Sequence, residues 1–466
     1  MAKKENFLLV ILLIYVTYGL LFLSSVIFAE TEVYLSLTAS RLPVEPEKLT
    51  RQVTVLTSEE IERMPVKSIS ELLGTLLPLD IQGRGSPIVQ ADVGMRGSTF
   101  EQIVVLIDGI KVNDSQTGHH NLDLPVSLND IERVEILHGQ SSSLYGSNGS
   151  GGVINIITKK PSKKKIDANF SYGSYHTWSG GLGLGTEKIS FRIEGKKSAG
   201  YPVPENYLKS TEKYYYDYDL LSGFCRWVKD RDKDSRWDIA IGALSKKFGA
   251  YDFYTPGSGY PSREETDTGF AKIEFLRKIG ASSLKSVFFS RVHKDKFMLD
   301  FTRRRTAYMN EHTNYILGTI FQMQTRFLNQ DFVFGFEPVQ EGISSSGTKG
   351  GLGEHKRMKI ALYGETILSR GNLSLNPGLR SEYNSFTLGW EYAPNFSLCW
   401  GFLPGWKLRG SLGRTYRIPS FTELYYEDLV NKGDTNLKTE SSWSFELGIT
   451  RVAPFLGNGL SKKNFQ

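Results

Sequence analysis

The chain has 466 residues, too many for one ordinary domain, and 56 Lys and Arg against 50 Asp and Glu leave a formal net charge of +6. This mild excess, with no basic stripe interleaved with aromatic residues, argues against a nucleic-acid-binding protein. Aromatic residues make up 12% of the chain and glycine occurs 46 times, which favours many strands and turns. The only cysteines, Cys225 and Cys399, exclude a disulfide scaffold and a cysteine zinc cluster, and we expect them to be isolated strand residues.

The N-terminus has the pattern of a secretory signal peptide. Lys3 and Lys4 precede an apolar run from Phe7 to Phe28, and the small residue Ala29 follows. We predict cleavage after Ala29, and the length of the apolar run keeps an uncleaved anchor as the alternative. No later segment reaches ~18 consecutive apolar residues, so the exported chain is either soluble outside the cytoplasm or a membrane β-barrel.

Residues 30–161 are predicted to form a compact α/β unit in which short strands and short helices share one apolar core. Thr57 with Glu60 three residues later matches a capping box at the start of a helix. Asp108 and Gly109 separate two apolar runs, which predicts a tight β-hairpin.

The segment from Gly139 to Thr158 begins with glycine and serine and ends in an apolar run. A phosphate-binding loop is excluded because no lysine and helix follow the glycines. A flexible linker is disfavoured because the apolar run from Val153 to Ile157 predicts a strand. No other hydrolase or nucleotide-binding motif occurs in the sequence, so we expect no enzymatic activity.

A lysine-rich linker, 159–165, separates this unit from a region with a different pattern. In the segment 189–194, Ile189, Phe191 and Ile193 alternate with polar residues, and about 14 strand candidates follow this period of two. Very short turns join some of them and long polar loops join others. Such strands are typical of an outer-membrane barrel. A secreted β-sandwich or propeller is the alternative, because a half-buried sheet also alternates.

Several segments occur in the order found in one known family. They are "LTASR" (37–41), "SISELLGTLLPLDIQ" (68–82), "VGMRG" (93–97), "VVLIDGIKVND" (104–114), "DIERVEILHG" (130–139) and "SLYGSNGSGGVINIIT" (143–158). Together they resemble the plug of a TonB-dependent outer-membrane receptor of the cobalamin/siderophore class. The segment 414–449 resembles a barrel segment of the same family.

The resemblance implies a transmembrane antiparallel β-barrel of about 22 strands, of which about 14 are present here, with the α/β plug in its lumen. We therefore expect four parts: a signal peptide (1–29), a TonB-box segment and linker (30–45), the plug (46–161) and a partial barrel (162–466). We also expect the chain to be truncated at its C-terminus, because ~300 residues after the plug suffice for only about 14 strands.

The function implied by the resemblance is energised import. The receptor would bind a scarce metal chelate, either a ferric siderophore or a cobalamin-like ligand, and import it into the periplasm. Its partners would be TonB with the inner-membrane energising complex, the lipid of the outer membrane and the chelate, with no nucleic acid and no cofactor. A passive porin, an adhesin-like barrel and a non-functional truncated receptor are the alternatives.

The family pattern also implies two sets of contact residues. The TonB box is predicted at Val33, Tyr34, Leu35, Ser36, Leu37 and Thr38, where an extended peptide could be gripped by strand addition. The lock between plug and barrel is predicted at Arg96, with Glu423 and Glu440 as acidic partners on the wall. His138 stands where the family has a second arginine, so its contact would be weaker and sensitive to pH. Four glycines of the Gly/Ser run are interpreted as positions where a side chain would clash with the barrel wall: Gly146, Gly149, Gly151 and Gly152.

Ligand contacts are expected from plug loops and barrel loops that point outward. The candidate residues are Arg84, Gln116, His119, His120, Asn121, Tyr251, Tyr254 and Tyr260. Arg84 suits an anionic ligand, and the tyrosines suit a flat or hydrophobic chelate. No metal site is predicted at His119 and His120, because adjacent histidines point in different directions and no third ligand is visible in the sequence.

Overall fold

The computed structural model describes residues 38–451 except 43, 45–47, 87, 206–207, 209–211, 255–256, 304–307, 348–350 and 429–430. The predicted signal peptide and most of the predicted TonB box lie outside these residues. Within the described part, no helix combines the length and apolar character needed to cross a membrane.

The first part of the chain is built on a five-stranded sheet. In chain order its elements and those beside it are β1 (Val53–Thr57), α1 (Ser58–Arg63), α2 (Ile69–Gly74), β2 (Leu79–Arg84), β3 (Gln90–Met95), β4 (Ile103–Ile107), β5 (Ile110–Lys111), β6 (Ile131–His138), α3 (Ser142–Tyr145) and β7 (Gly152–Thr158). The strand order in the sheet is β1-β6-β7-β4-β5, and β2 and β3 form a separate hairpin. Only β4 and β7 run parallel within the described sheet. We call this unit the plug.

Local chemistry explains where these elements start and turn. Thr57 and Glu60 form the predicted capping box at the start of α1. Asp108 and Gly109 both have positive φ, 50° and 79°, and close the predicted tight hairpin between β4 and β5. The apolar run that ends the Gly/Ser segment is confirmed as strand β7.

The second part is one antiparallel sheet of 14 strands, which agrees with the predicted number. The strands are β8 (Lys165–Gly173), β9 (Thr177–Gly185), β10 (Ile189–Ser198), β11 (Tyr218–Asp232), β12 (Ser235–Gly249), β13 (Arg263–Ile279), β14 (Ser282–Met298), β15 (Met309–Phe327), β16 (Gln330–Gly347), β17 (Glu354–Arg370), β18 (Leu373–Asn384), β19 (Gly389–Leu403), β20 (Trp406–Arg417) and β21 (Glu440–Arg451). Each strand pairs only with its neighbours in the chain, so β8 and β21 are the two edges of the described sheet. A short helix, α4 (Phe421–Tyr425), lies between β20 and β21. We call this sheet the wall.

The two ends of the wall differ in the length of their connections. Residues 186–188, 233–234, 280–281, 328–329, 371–372 and 404–405 connect strands at one end, which we call the short-turn end. Longer connections lie at the opposite end, the long-loop end, and the longest are 199–217, 250–262, 299–308 and 418–439. This asymmetry follows from the antiparallel order, in which successive connections alternate between the two ends.

The wall buries its polar side chains and exposes its apolar ones, the reverse of a sheet in a soluble protein. On β14, Arg291, His293 and Asp295 are buried, whereas Phe288 and Val292 are 47% and 46% exposed. Other strands repeat this arrangement, with charged residues on the inner face and large apolar residues outside. A soluble protein buries its apolar residues, while a barrel in lipid turns them outward. The pattern favours the membrane barrel over the sandwich or propeller.

The plug packs against the inner face of the wall. One buried apolar cluster joins Ile103 and Val105 of β4 to Phe224, Phe270 and Phe289 of the wall. The wall therefore shares an apolar inner patch with the core of the plug, and many of the other inner positions carry polar and charged side chains.

Candidate functional site

The Gly/Ser segment packs tightly, although only part of it against the wall. Gly146 has φ of +75°, and a Cβ there would lie 2.8 Å from Oε2 of Glu382 on β18. At Gly149, Gly151 and Gly152 a Cβ would instead meet atoms of the plug itself. The predicted clash with the wall is thus confirmed for Gly146 and wrong for the other three, because the segment folds back on the plug before β7.

Buried ion pairs hold the plug to β11, β12 and β13. Arg226 of β11 lies 3.3 Å from Oδ2 of Asp108 in the plug and 2.6 Å from Oδ2 of Asp238 in the wall. Its Nη1 also donates to the backbone oxygen of Thr158, at 2.7 Å. Lys272 of β13 lies 3.5 Å from the same Asp108 carboxylate. These groups carry compensating charges, which a buried charge requires.

A second set of buried pairs lies nearer the long-loop end. Nη1 of Arg291 donates to Oδ2 of Asp114 at 2.8 Å, and Asn314 donates to the same oxygen at 3.1 Å. Lys246 of β12 donates to Asp123 of the plug. These wall residues were not among the predicted contacts, although all occupy inward positions of the period-two pattern.

The predicted lock uses a different partner from the one expected. Nη1 of Arg96 donates to Oε1 of Glu446 on β21, at 2.5 Å. Glu423 and Glu440 both bind Arg417 of β20 instead. Arg96 does reach an acid of the wall, but the predicted pairing with Glu423 or Glu440 was wrong.

His138 makes its contact within the plug. Its Nε2 lies 2.9 Å from Oγ1 of Thr54 on β1, and among the described residues no wall carboxylate is bonded to it. Burial, together with the nearby charge of Arg96, lowers the pKa of His138 to about 4. The imidazole is therefore neutral at physiological pH and does not replace a locking arginine.

Of the predicted TonB box, only Thr38 falls within the described residues. It is fully buried, and its backbone N–H donates to Oε2 of Glu135 at 3.1 Å. Its carbonyl oxygen accepts from the hydroxyl of Tyr145 at 3.2 Å. Thr38 thus packs into the plug, and Val33 to Leu37 stay a prediction.

Three predicted ligand residues meet at the long-loop end. Arg84 lies 3.2 Å and His119 2.8 Å from the carboxylate oxygens of Asp92. The ring of His119 stacks on Phe100 at 4.4 Å between centroids and lies 6.0 Å from the ring of Tyr254. This arrangement, which we call the apical cluster, combines a cation, an imidazole and aromatic faces.

The other predicted ligand residues do not join this cluster. Gln116, His120 and Asn121 are buried, and Gln116 accepts a hydrogen bond from the wall strand β15. Tyr251 is buried edge-on against a neighbouring tyrosine ring, at 5.4 Å between centroids. Tyr260 is 41% exposed. Their roles in ligand binding stay predictions.

A narrow cavity lies between the plug and the wall. Its wall side carries charges of both signs, on Glu337, Glu341, Arg357, Lys359, Arg380 and Arg417. On the plug side Lys111 donates to Oδ1 of Asn148 at 2.9 Å. Burial, reinforced by the charge of Lys359, lowers the pKa of Lys111 to about 7. We call this space the plug–wall cavity.

Comparison with known proteins agrees with this architecture. The family model described as TonB-dependent Receptor Plug Domain matches residues 45–153. The model described as TonB dependent receptor-like, beta-barrel matches residues 144–462. The chain belongs to the TonB-dependent receptor family. Family membership explains why the wall exposes its apolar side chains and why the plug packs against its inner face.

Individual relatives of this receptor are distant. It is 25% identical to the vitamin B12 transporter BtuB of Vibrio vulnificus over 449 residues, covering 90% of this chain and 67% of that protein. A 24% identical match to the vitamin B12 transporter BtuB of Photobacterium profundum covers 89% and 66%. The chain thus spans about two thirds of the length of these relatives.

Solved structures share the fold of this receptor. The siderophore receptor PirA from Acinetobacter baumannii superposes with a TM-score of 0.67 at 18% identity, covering 87% of this chain and 69% of that one. The hemophore receptor HasR of Serratia marcescens gives a TM-score of 0.70 at 15% identity, covering 88% and 70%.

Proposed function

We propose that this receptor binds a metal chelate at its long-loop end and imports it into the periplasm of a Gram-negative bacterium by TonB-dependent displacement of the plug. The buried ion pairs between plug and wall carry this proposal, with Arg226 and Arg291 at their centre. A buried charge that loses its partner costs about 3–5 kcal/mol, so a displacement of the plug that leaves Arg226 or Arg291 buried and unpaired is strongly unfavourable. Energy-driven displacement of the plug therefore fits this structure better than passive diffusion through a porin.

The orientation follows from the connections between strands. Outer-membrane barrels have short periplasmic turns and longer extracellular loops, so the long-loop end faces the outside. The apical cluster of Arg84, His119 and Tyr254 lies at that end and would meet a chelate first. An arginine beside aromatic faces suits an anionic or extended planar ligand.

The chelate class is proposed from the relatives together with this site. Transporters of vitamin B12 are among the sequence relatives, and receptors for siderophores and for a haem-carrying hemophore share the fold. Cobalamin is therefore the first ligand to test, and a ferric siderophore is the second.

Uptake measurements test the proposal. The full chain is expressed in a Gram-negative host that lacks its own cobalamin and enterobactin receptors, with and without a functional TonB. Labelled cyanocobalamin or ferric enterobactin should accumulate only when TonB is present. Accumulation without TonB would support the passive porin, and failure to bind either probe would refute cobalamin and ferric enterobactin as the ligands.

A pair of variants tests the apical cluster. Arg84→Gln removes the cation that holds Asp92, and it should weaken chelate binding about tenfold, as expected for a lost charged hydrogen bond. Arg236→Gln is the matched control, because Arg236 lies beside the turn 233–234 at the opposite end of the wall. Equal affinity in both variants would remove the apical cluster from the binding site.

The processing of the chain is proposed on sequence grounds alone. Residues 1–29 would be removed on export, 30–45 would carry the TonB box, and the plug and wall would divide near 161/162. N-terminal sequencing of the protein from outer membranes tests the first point. An intact N-terminus would favour the uncleaved anchor.

A further inference from the structure

Two histidines and an aspartate meet where the plug touches β14. His120 comes from the plug, and His293 and Asp295 come from the inner face of the wall. Each offers a ligand atom, and these atoms lie within 4.8 Å of one another. The two imidazole rings are 4.6 Å apart between centroids, and all three residues are buried.

The atoms that face each other in this cluster have unused hydrogen-bonding capacity. Nδ1 of His293 is bonded to Oγ1 of Thr268 at 2.8 Å, which fixes the ring and leaves its Nε2 for another partner. Within the described residues, Nε2 of His293 and Oδ1 of Asp295 make no hydrogen bond. A buried polar atom without a partner costs free energy, so the cluster as it stands is unsatisfied.

Further acidic groups surround His120. Its Nδ1 lies 3.5 Å from Oδ2 of Asp123, and its Nε2 lies 3.8 Å from Oε1 of Glu264. Lys246 neutralises Asp123, so the carboxylates of Glu264 and Asp295 remain next to the two imidazoles. This is the donor set that a divalent cation satisfies and that a neutral ligand does not.

We propose that His120, His293 and Asp295 bind one divalent transition-metal ion, of the zinc type, between the plug and the wall. Zinc sites in proteins use imidazole and carboxylate ligands at about 2.0–2.2 Å, which places tetrahedral ligand atoms roughly 3.4 Å apart. The ligand atoms, now within 4.8 Å of one another, reach that spacing when they approach each other by up to roughly 1.4 Å. Thr268 then acts as the outer partner that orients a metal-bound histidine.

The placement of the ligands gives the ion a structural role that differs from that of a transported chelate. Because one ligand belongs to the plug and two belong to the wall, the complete site exists only while the plug is seated. An ion that binds only this state stabilises it by mass action. The bound ion would thus hold the plug against the wall. This role does not depend on which chelate the receptor imports.

Metal binding to the purified full chain tests the inference directly. The protein is freed of metal with a chelator in detergent and titrated with Co²⁺, whose visible absorption reports the ligand field, and then with Zn²⁺ in competition. One Co²⁺ per chain should bind and be displaced by Zn²⁺. No saturable binding would overturn the proposal.

Variants separate this site from adventitious binding. His293→Ala and Asp295→Asn should each lower the affinity for Co²⁺ at least tenfold. His312→Ala is the matched control, since His312 is also a buried wall histidine but is bonded to Ser345 outside the cluster. Affinity that falls equally in the control, or that persists in both site variants, would overturn the assignment.

A second measurement keeps the test informative if a variant folds poorly. Zn²⁺ should raise the thermal unfolding temperature of the wild-type protein and of His312→Ala, but not that of Asp295→Asn, whose side chain keeps the original shape. A zinc-dependent rise of equal size in Asp295→Asn would show that the ion binds elsewhere.

Discussion

Asp114 shows how a single plug side chain depends on the wall. Its carboxylate accepts from Arg291 and Asn314 of the wall and from the backbone of Gln116 in its own loop. Burial alone raises the pKa of Asp114, but the charge and hydrogen bond of Arg291, together with the nearby His293 and His120, outweigh burial and lower the pKa to about 2. The ionised form is therefore the one that the folded receptor stabilises.

This shift predicts an acid-sensitive contact. A carboxylate with a lowered pKa contributes stability above its unfolded value of 3.8, and this contribution is lost as pH falls towards about 2. The size is roughly 2 kcal/mol, from 1.36 kcal/mol per pKa unit. The denaturant midpoints of the wild type and of Asp114→Asn, measured between pH 2 and pH 5, check this contribution. The difference between the two midpoints should become smaller as pH falls. A difference that stays constant would contradict the prediction.

Gly146 predicts a second effect at the scale of one residue. Ala at this position combines a positive φ with a contact of 2.8 Å to Glu382, so Gly146→Ala should destabilise the receptor by about 1–3 kcal/mol. Gly269→Ala is the control, because a Cβ at that position meets nothing within 4 Å. Thermal unfolding in detergent compares the two, and equal melting temperatures would refute the steric role of Gly146.

Residue partners were the least predictable part of the site. Glu440 and Glu446 lie an even number of residues apart on β21, so the sequence places both on the same face. Which of them reaches Arg96 depends on the height of the plug within the wall, and a single sequence does not encode that height locally. An ion pair between Arg96 and an acidic residue of the wall could be predicted, but the particular acidic residue could not.

At the scale of elements, β14 shows both faces of the wall at once. Phe288 points outward about six residues from the short turn, which is about 14 Å along the membrane normal for a strand tilted by ~45°. This position is near the middle of an apolar band about 25 Å tall. The neighbouring inward positions meet the plug, so one strand presents lipid on one side and protein charge on the other.

A depth-dependent cost follows from this geometry. Phe288→Lys should lower stability in lipid by about 2–4 kcal/mol, while Phe327→Lys should cost about 0–1 kcal/mol because the short turn lets lysine reach water. Phe327 ends β15 beside residues 328–329 and is 64% exposed. Urea unfolding from lipid vesicles measures both variants. Equal costs would contradict a membrane-facing β14.

Elements were more predictable than partners because their signals are local. The capping box at Thr57 and the hairpin at Asp108 and Gly109 depend on residues within a few positions of one another. The wall strands were found from the alternation of side chains alone. The inward charges Arg226 and Arg291 sit in that same pattern, but their significance appears only once the plug is placed against them.

At the scale of the whole molecule, the seat of the plug should depend on Arg226. Arg226→Met leaves Asp108 and Asp238 short of a buried partner, so plug seating should weaken by about 3–5 kcal/mol. Protease digestion at increasing urea measures the exposure of the plug, which should be cleaved at lower urea in this variant while the wall stays intact.

Arg236→Met is the matched control for plug seating. Arg236 pairs with Asp230 on the exposed surface of the wall, where ion pairs contribute little. Its loss should leave cleavage of the plug unchanged. If both variants expose the plug equally, the buried pairs are not what holds it.

The neighbour-only order of the 14 wall strands has a consequence for biogenesis. A meander of this kind can grow at its free edge, one hairpin after another, without pairing between strands distant in the chain. The plug comes before the wall in the chain and contacts it from β10 to β21. A plug folded early would then offer several of the arriving hairpins a buried countercharge, so the domain that obstructs transport in the finished receptor would also be the template around which the wall assembles.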